Sequence, residues 1–303
     1  MPKRNYHLIG AAFGLGSAEH NSRLGPDNLW QGGLIEKLQQ SGANVVDRGI
    51  LRESPIKTLQ LDPKLRYVDE VVEFSGRLME SVAESYKLSA LPVVVGGDHS
   101  VSISTVSANA LYLHQQGRTP GLIWVDAHAD INTPQSTPSG NIHGMPVAIL
   151  LGHGDPALTG LGGYTPKLKP EHIVYIGLRD VDPGEREMIK QLGIKAYSMH
   201  DVDLRGIGQI CKEALTYIEQ RCDGFVLSFD LDVCEPDVAP GVGTPVRGGL
   251  TVRESHLIME LAHDSPKLMS IELVELNPAL DRQDTTRQFA TWLLQSALGK
   301  KIL

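Results

Sequence analysis

Residues 122–130 read Leu122-Ile123-Trp124-Val125-Asp126-Ala127-His128-Ala129-Asp130, an apolar run that passes directly into potential metal ligands. The apolar part is typical of a strand covered on both faces. Because side chains of an extended strand alternate between its two faces, Asp126, His128 and Asp130 are predicted to share one face. Carboxylates crowded on one face repel one another unless a cation lies between them. The stretch therefore predicts a buried strand with a cation site at its carboxyl end.

Two other apolar runs end in the same way. Gly96-Gly97-Asp98-His99 follows a run of valines, and Phe229-Asp230-Leu231-Asp232 closes another run. Strand ends that meet at one edge of a sheet would bring these side chains to the 126–130 segment. Carboxylates and neutral imidazoles suit Mn²⁺, Co²⁺ or Zn²⁺, and the absence of thiolates argues against a structural zinc site.

Apolar runs recur along the chain and alternate with stretches of helical periodicity. The runs predict strands at residues 6–9, 43–46, 91–95, 121–125, 173–176, 196–198, 225–229 and 268–274. Spacings of about 3.6 residues predict helices that include 68–86, 102–116, 184–192, 207–221 and 252–263. This order predicts an α/β fold on a parallel sheet, with helices on both sides and function at the carboxyl ends of the strands.

Composition and charge limit the classes of partner. No linker rich in Pro, Gly or Ser divides the alternation, so residues 1–303 are expected to form one domain. The formal net charge of −8 disfavours nucleic acid or an anionic membrane as partner, since both favour a basic surface. A small molecule is the expected ligand, and a cationic one would be attracted.

Cysteine usage and apolar stretches indicate a compartment. Cys211, Cys222 and Cys234 show neither a CxxC pair nor a framework spacing, which suits a reducing environment. The N-terminal residues lack the apolar stretch of a signal peptide, and no segment approaches the roughly 20 apolar residues of a membrane span. A cytoplasmic protein is therefore expected.

The clustered ligands favour two metal ions over a structural explanation. An isolated acidic residue after a strand is most often a helix cap or a turn former. Here the strand ends together supply six potential ligands, namely His99, Asp126, His128, Asp130, Asp230 and Asp232. Burying unpaired carboxylates is costly or shifts their pKa strongly. Six ligands for two ions require sharing, for which Asp126 and Asp230 are the natural bridges. A water shared by two divalent ions would be largely hydroxide at neutral pH.

A set of segments also carries a resemblance to a known family. The segments are 96–100 (GGDHS), 125–134 (VDAHADINTP), 228–232 (SFDLD) and 241–245 (GVGTP). They resemble the ureohydrolase superfamily and, within it, most closely the arginase family. The resemblance implies a three-layer α/β/α sandwich around a mostly parallel, eight-stranded sheet. It also implies two Mn²⁺ ions per subunit, one held by His99, Asp126, Asp130 and Asp230, and the other by Asp126, His128, Asp230 and Asp232.

The same resemblance implies a reaction and roles for further residues. It implies hydrolysis of L-arginine to L-ornithine and urea, in which a metal-bridging hydroxide attacks the guanidinium carbon. Asp130 would pass a proton to the departing amine, and His143 would exchange protons with solvent. Glu275 would pair with the guanidinium, a planar cation suited to acceptance by a carboxylate, and Thr244 would add a hydroxyl contact. Taken alone, His143 also fits a surface imidazole.

The choice of substrate depends on what holds its far end. Arginine presents a carboxylate and an ammonium there, whereas agmatine has neither; a carboxylate needs donors, and an ammonium needs an acceptor. Asp182 resembles the ammonium partner, with Glu185 as a water-mediated helper, although Asp182 before Pro183 is also a plausible helix cap. A neutral, donor-rich loop resembles the arginase carboxylate contacts and consists of Asn132, Thr137, Ser139 and Asn141.

This loop favours arginase over agmatinase and formiminoglutamase, with agmatinase or a guanidino-acid ureohydrolase as the runner-up. A different class is a non-catalytic ureohydrolase-like subunit that binds a ligand or partner. The presence of all six metal positions, with His143 and Glu275, argues against it. The family commonly forms trimers or hexamers, so a homotrimer or homohexamer is expected. Arg253 lies on a segment resembling a subunit contact, but it also fits a solvated helix residue.

Overall fold

The computed structural model describes residues 4–58 and 61–301 and contains one eight-stranded sheet. The strands are β1 (Asn5–Ala12), β2 (Asn44–Arg52), β3 (Leu91–Gly96), β4 (Pro120–Val125), β5 (Ile173–Leu178), β6 (Lys195–Ser198), β7 (Gly224–Asp230) and β8 (Leu268–Val274). Their order across the sheet is β2-β1-β3-β8-β7-β4-β5-β6, and every neighbouring pair is parallel. The predicted eight-stranded sheet is confirmed, and it is parallel throughout.

Helices connect the strands. They are α1 (Gly25–Gln31), α2 (Leu34–Gln40), α3 (Val68–Lys87), α4 (Ser102–His114), α5 (Pro146–Leu150), α6 (Pro156–Thr159), α7 (Pro183–Leu192), α8 (Met199–Arg205), α9 (Ile207–Arg221), α10 (Val252–Asp264) and α11 (Thr285–Ala297). The helices predicted from periodicity correspond to α3, α4, α7, α9 and α10, with small differences at the ends. Long amphipathic helices are the elements that a periodic pattern identifies best.

Strand β2 is longer than the apolar run that predicts it. The prediction covers residues 43–46, whereas the strand runs from Asn44 to Arg52 and includes Asp47 and Arg48. These charged residues are tolerated because β2 is an edge strand with mostly exposed or half-buried side chains. Within the predicted run only Val45 is buried, and Val46 is exposed, so an apolar run marks an edge strand incompletely.

Alternating side chains of the central strands divide the core into two layers. In β4, Leu122 and Trp124 pack with buried residues of α5, whereas Ile123 and Val125 pack with those of α9, α10 and α11. Helices α3 to α7 cover the first face, and α1, α2 and α8 to α11 cover the second. The predicted three-layer α/β/α sandwich is confirmed.

The predicted metal ligands and Glu275 lie at or just after the ends of four strands at the centre of the sheet. These strands are β3, β8, β7 and β4, which are consecutive neighbours. Because parallel strands end at the same edge, the segments that follow them meet in one region. Residues 1–3, 59–60 and 302–303 of the predicted domain 1–303 lie outside the described residues. Within the described ranges, no helix has the length and apolar character needed to span a bilayer.

A tight backbone crossing follows β3, and it predicts a stability effect. A Cβ atom at Gly97 would lie 1.7 Å from the carbonyl oxygen of Phe13. We expect Gly97→Ala to lower the free energy of unfolding by at least about 2 kcal/mol, because backbone must shift to admit the methyl group. Urea denaturation of the purified variant measures this change.

Gly76→Ala in α3 is the matched control, since no heavy atom lies within 4 Å of its added Cβ. Alanine is the better helix former, so this variant should be as stable as the wild type or more stable by up to about 1 kcal/mol. Equal stabilities of the two variants would contradict the proposed crossing.

Candidate metal centre and active site

The His99 imidazole lies among carboxylates at the centre of the sheet edge. His99 begins a short 3-10 helix, His99–Val101, directly after the turn that follows β3. Its Nδ1 atom is 3.0 Å from Asp126 Oδ2, 2.9 Å from Asp230 Oδ2 and 3.4 Å from Asp130 Oδ2. The side chain is buried. Three strand ends therefore converge on one imidazole nitrogen, as the sequence predicts.

A second imidazole faces the same carboxylates from the other side. His128 Nδ1 is 3.1 Å from Asp232 Oδ2 and 3.4 Å from Asp126 Oδ1. Asp126 thus presents one oxygen toward His99 and the other toward His128. Asp126 is the residue that both imidazoles share.

The predicted arrangement of these ligands on one face of an extended strand is wrong. Strand β4 ends at Val125, and Asp126 to Asp130 lie in the loop beyond it. Asp130 has a φ of 49°, in the left-handed region, so the chain turns back there. Asp232 lies in the 3-10 helix Leu231–Val233 after β7. The ligands converge because tight turns direct them inward, and the strands supply only the starting points.

Burial and mutual repulsion perturb the carboxylates strongly. Burial raises the pKa of Asp130 and of Asp230 well above the usual range, and neighbouring carboxylates raise both further. Burial also opposes ionisation of Asp126, but its close contacts with the His128 and His99 imidazoles outweigh burial and lower its pKa. Four carboxylates in one buried space retain their charges most easily when a cation lies among them.

The imidazoles respond to the same crowding. Burial lowers the pKa of His99 and of His128, but the surrounding carboxylates outweigh burial and raise both values. Asp126 and Asp230 are the main partners of His99, and Asp232 is the main partner of His128. Positive charge is therefore favoured in this space, either as protons on the imidazoles or as metal ions.

The donor set fits two divalent ions. The groups His99–Asp126–Asp230 and Asp126–His128–Asp232 each bring their ligand atoms within 4.8 Å of one another. Two buried atoms of these groups, His99 Nδ1 and Asp232 Oδ1, have no hydrogen-bond partner. Oxygen and imidazole ligands without thiolates suit Mn²⁺ and similar ions. Asp230 belongs to the first group only, and Asp130 to neither, so the bridging role of Asp230 and the ligand role of Asp130 stay predictions.

A polar row beneath the ligands was not predicted from the sequence. Trp124, Ser228 and Glu272 are register partners across β4, β7 and β8. The Trp124 ring stacks on the His99 ring with centroids 3.9 Å apart, and its indole N–H donates to Asp126 Oδ2 at 2.9 Å. Ser228 Oγ lies 2.8 Å from His99 Nε2.

The row continues to a buried acid. Ser102 Oγ donates to Glu272 Oε2 at 2.7 Å and lies 3.3 Å from Ser228 Oγ. If Nε2 donates its proton to Ser228 Oγ, Nδ1 carries no proton and is free to accept a metal ion. Only part of this row could be found from the sequence. Trp124 and Ser228 each lie two residues before a ligand, but their pairing depends on the register between β4 and β7.

Two further residues, one before His99 and one after β5, support the ligand segments. Asp98 is fully buried and accepts hydrogen bonds from the N–H groups of Gly16 and Ser100 at 2.8 and 3.0 Å. Arg179 donates to the carbonyl oxygens of Asp232 and Val246, both at 2.7 Å. Asp98 thus fixes the turn before His99, and Arg179 fixes the segment that carries Asp232.

His143 and Glu275 lie together beside the ligand cluster. Their closest approach is 3.5 Å, between His143 Nδ1 and Glu275 Oε1, and the same oxygen accepts the N–H of His99 at 2.8 Å. Burial lowers the pKa of His143, but Glu275 outweighs burial and raises it. Glu275 has a φ of 67°, in the left-handed region, directly after β8. Such strained backbone at a polar strand end is frequent at functional sites.

Most of the predicted site residues line one cleft above the cluster. Its lining consists of His128, Asp130, Asn132, Thr137, Pro138, Ser139, Asn141, His143, Gly144, Asp180, Asp182, Glu185, Asp230, Asp232 and Thr244. The predicted residues His99, Asp126 and Glu275 are buried and are not part of this lining. Asp180 lines the cleft but was not predicted, and its carboxylate lies 3.9 Å from His128 Nε2.

The predicted substrate residues contact one another within this cleft. Asn132 Nδ2 donates to Asp182 Oδ2 at 3.0 Å, and Thr244 Oγ1 donates to Asp232 Oδ2 at 2.8 Å. Glu185 accepts the N–H groups of Ile131 and Asp182 at 3.1 and 3.0 Å, and burial raises its pKa to about 7. Asp182 is also the N-cap residue of α7, so the two interpretations of this residue are compatible.

Comparison with known proteins gives a consistent result. Residues 4–299 match the model of the arginase family. The chain is 43% identical to the arginase of Bacillus caldovelox over 298 residues, which is 98% of each protein. The native structure of that arginase at pH 5.6 superposes with a TM-score of 0.94 and 42% identity, covering 99% of this chain and 100% of that one.

A more distant structure agrees. The arginase of Entamoeba histolytica in complex with L-ornithine superposes with a TM-score of 0.90 and 30% identity, again over 99% of this chain and 100% of that one. Full-length similarity in sequence and fold confirms the resemblance derived from the four motif segments. The chain therefore belongs to the arginase family.

Proposed function

We propose that this protein hydrolyses L-arginine to L-ornithine and urea with two Mn²⁺ ions per subunit. The observation that carries the proposal is the buried cluster of carboxylates and imidazoles, with unpaired ligand atoms, directly below a cleft that combines acidic and neutral donor-rich sides. The family membership and the arginases among the relatives support this substrate. The whole chain would act as one catalytic domain.

The proposed ligand sets follow from the cluster and from the family resemblance. His99, Asp126, Asp130 and Asp230 would hold one ion, and Asp126, His128, Asp230 and Asp232 the other. When bound, the ions would supply hydroxide from a shared water at neutral pH and so provide the nucleophile. The contacts of His99 and His128 with the two oxygens of Asp126 support the shared role of that residue.

Proton transfer is assigned to the side chains beside the cluster. Asp130 faces both the cluster and the cleft, so its carboxyl group could deliver a proton to the departing amine. His143 lines the cleft and contacts Glu275, which keeps a proton available on the imidazole and lets it exchange with solvent. Glu275 would pair with the substrate guanidinium, and Thr244 would contribute a hydroxyl contact from the cleft wall.

The far end of the substrate would lie against the two sides of the cleft. Asp182 and Glu185 would hold the α-ammonium, the second through water, because both provide acceptors near Asn132. The Entamoeba relative forms a complex with L-ornithine, which carries the same carboxylate and ammonium as arginine, and this supports an amino-acid substrate. The neutral loop that would hold the α-carboxylate consists of Asn132, Thr137, Ser139 and Asn141.

We further propose a cytoplasmic homotrimer or homohexamer. Support comes from the family resemblance and from the three free, buried cysteines, which suit a reducing compartment. Arg253 is largely exposed and bonds Glu260 of the same helix at 3.1 Å, so it is accessible to a second subunit.

A panel of guanidinium compounds and related amidines tests the substrate. With Mn²⁺-loaded enzyme, we expect a higher kcat/KM for arginine than for agmatine, guanidinobutyrate or formiminoglutamate, because only arginine offers both groups to the far end of the cleft. Urea release measures the first three compounds, and formamide release the last. A higher kcat/KM for agmatine would overturn the assignment.

Removal of the shared ligand tests the metal cluster. Asp126→Asn should lower kcat by at least about a thousandfold, because the amide cannot offer two charged oxygens to two ions. The variant should also bind less Mn²⁺ per chain while it retains the wild-type circular dichroism spectrum. Asp237→Asn, at an exposed position outside the cleft lining, is the control and should keep full activity. Near-normal urea release by Asp126→Asn would refute the two-ion mechanism.

The polar row beneath His99 predicts a separate effect on metal affinity. Ser228→Ala removes the partner of His99 Nε2 and should weaken Mn²⁺ binding about tenfold. Titration calorimetry of metal-free protein measures the affinity. Ser107→Ala is the control, since Ser107 Oγ is buried without a hydrogen-bond partner. Unchanged affinity in Ser228→Ala would show that Trp124 stacking alone orients the ring.

A further inference from the structure

A tight turn before α3 packs against the neutral loop of the cleft. The turn comprises residues 61–67, in which Asp62 and Leu65 form an isolated bridge and the N–H of Lys64 donates to Asp62 Oδ1 at 2.7 Å. The N–H of Arg66 donates to the carbonyl oxygen of Gly140 at 3.0 Å. The turn is therefore an ordered structure that is hydrogen-bonded to the loop.

The contact between turn and loop is close enough to exclude a side chain. A Cβ atom at Gly140 would lie 2.1 Å from the carbonyl oxygen of Pro63, and Gly140 has a φ of 75°. The segment just before the turn is also tied down, because buried Glu70 accepts the N–H groups of Lys57 and Thr58, both at 2.8 Å. The turn thus has a fixed position relative to the cleft wall.

Two cationic side chains project from this turn onto residues that line the cleft. Lys64 Nζ donates to the carbonyl oxygen of Thr137 at 2.8 Å. Arg66 Nη1 lies 3.5 Å from Asn141 Oδ1. Thr137 and Asn141 both belong to the neutral loop and to the cleft lining. Two positive charges therefore lie next to the neutral loop, which would hold the substrate carboxylate.

The rest of the cleft is acidic, which makes this charge significant. Its lining contains no lysine or arginine among the described residues. Bound Mn²⁺ would offset the charges of Asp130, Asp230 and Asp232. Asp180, Asp182 and Glu185 belong to neither proposed ligand set and keep the cleft acidic. Such a cleft attracts a guanidinium and an ammonium but repels a carboxylate. A substrate that carries an α-carboxylate needs a local positive field at one wall, and Lys64 and Arg66 are positioned to supply it.

We propose that Lys64 and Arg66 determine specificity for substrates with an α-carboxylate. They act from behind the neutral loop, through their charges and by fixing the carbonyl of Thr137 and the side chain of Asn141, and they do not take part in the chemistry. This inference rests on the proposed function, because it assumes that the neutral loop faces the carboxylate of arginine. A substrate without that group, such as agmatine, gains nothing from the two cations.

The double variant Lys64→Met/Arg66→Gln tests this inference in the Mn²⁺-loaded enzyme. At low ionic strength, its kcat/KM for arginine should fall about fivefold to tenfold, mainly through a higher KM, whereas kcat/KM for agmatine should change less than about twofold. The loss should shrink as salt is added, because these charges are partly exposed and are screened. Lys64→Arg and Arg66→Lys should retain most of the arginine activity.

Inhibition by the two amine products, L-ornithine from arginine and putrescine from agmatine, gives a second readout that does not depend on agmatine turnover. The inhibition constant of L-ornithine should rise in the double variant, whereas that of putrescine, which lacks the carboxylate, should not. Lys87→Met, at the exposed far end of α3, removes one positive charge as a control and should leave both constants unchanged.

Two results would overturn the inference. One is an equal loss of kcat/KM for arginine and agmatine, with equal changes for both inhibitors, which would indicate a purely structural turn. The other is an unchanged KM for arginine in the double variant. Failure of the proposed function is distinguishable, because in that case the wild-type enzyme itself would release no urea from arginine.

Discussion

The cost of burying negative charge at one edge of the sheet is the constraint on which the rest of the structure depends. Asp126, Asp130, Asp230 and Asp232 are all buried around two imidazoles. Water cannot stabilise their charges there, and their mutual repulsion raises the pKa of several of them. Under the proposed function, divalent cations would remove this penalty and would also supply the nucleophile, so one feature would account for both metal binding and hydrolysis.

The parallel sheet makes this concentration of charge possible by bringing four strand ends to one edge. The polar row of Trp124, Ser228 and Glu272 then orients the ligands from below, and Arg179 fixes the segment of Asp232 from the side. Above the cluster, loops after β4, β5 and β7 form the cleft wall. Under the proposed function, residues at the ends of rigid strands would hold the metal ions, whereas the connecting loops would select the substrate.

The sequence predicts the fold and the candidate ligand residues, but it does not predict the geometry of those residues. Buried parallel strands give continuous apolar runs, and polar residues at their ends stand out against those runs. The prediction of one shared strand face failed because β4 ends at Val125 and Asp130 adopts a left-handed conformation. The row beneath the ligands depends on strand register, and the contact of Lys64 with Thr137 joins residues 73 positions apart. Neither relation leaves a local pattern in the chain.

Anomalous diffraction from crystals of the Mn²⁺-loaded protein, recorded at the manganese absorption edge, would locate the ions bound at this cluster. We expect two anomalous peaks per chain, one contacted by His99 and the other by His128, with Asp126 in contact with both. A single peak, or peaks away from these side chains, would contradict the proposed two-ion cluster.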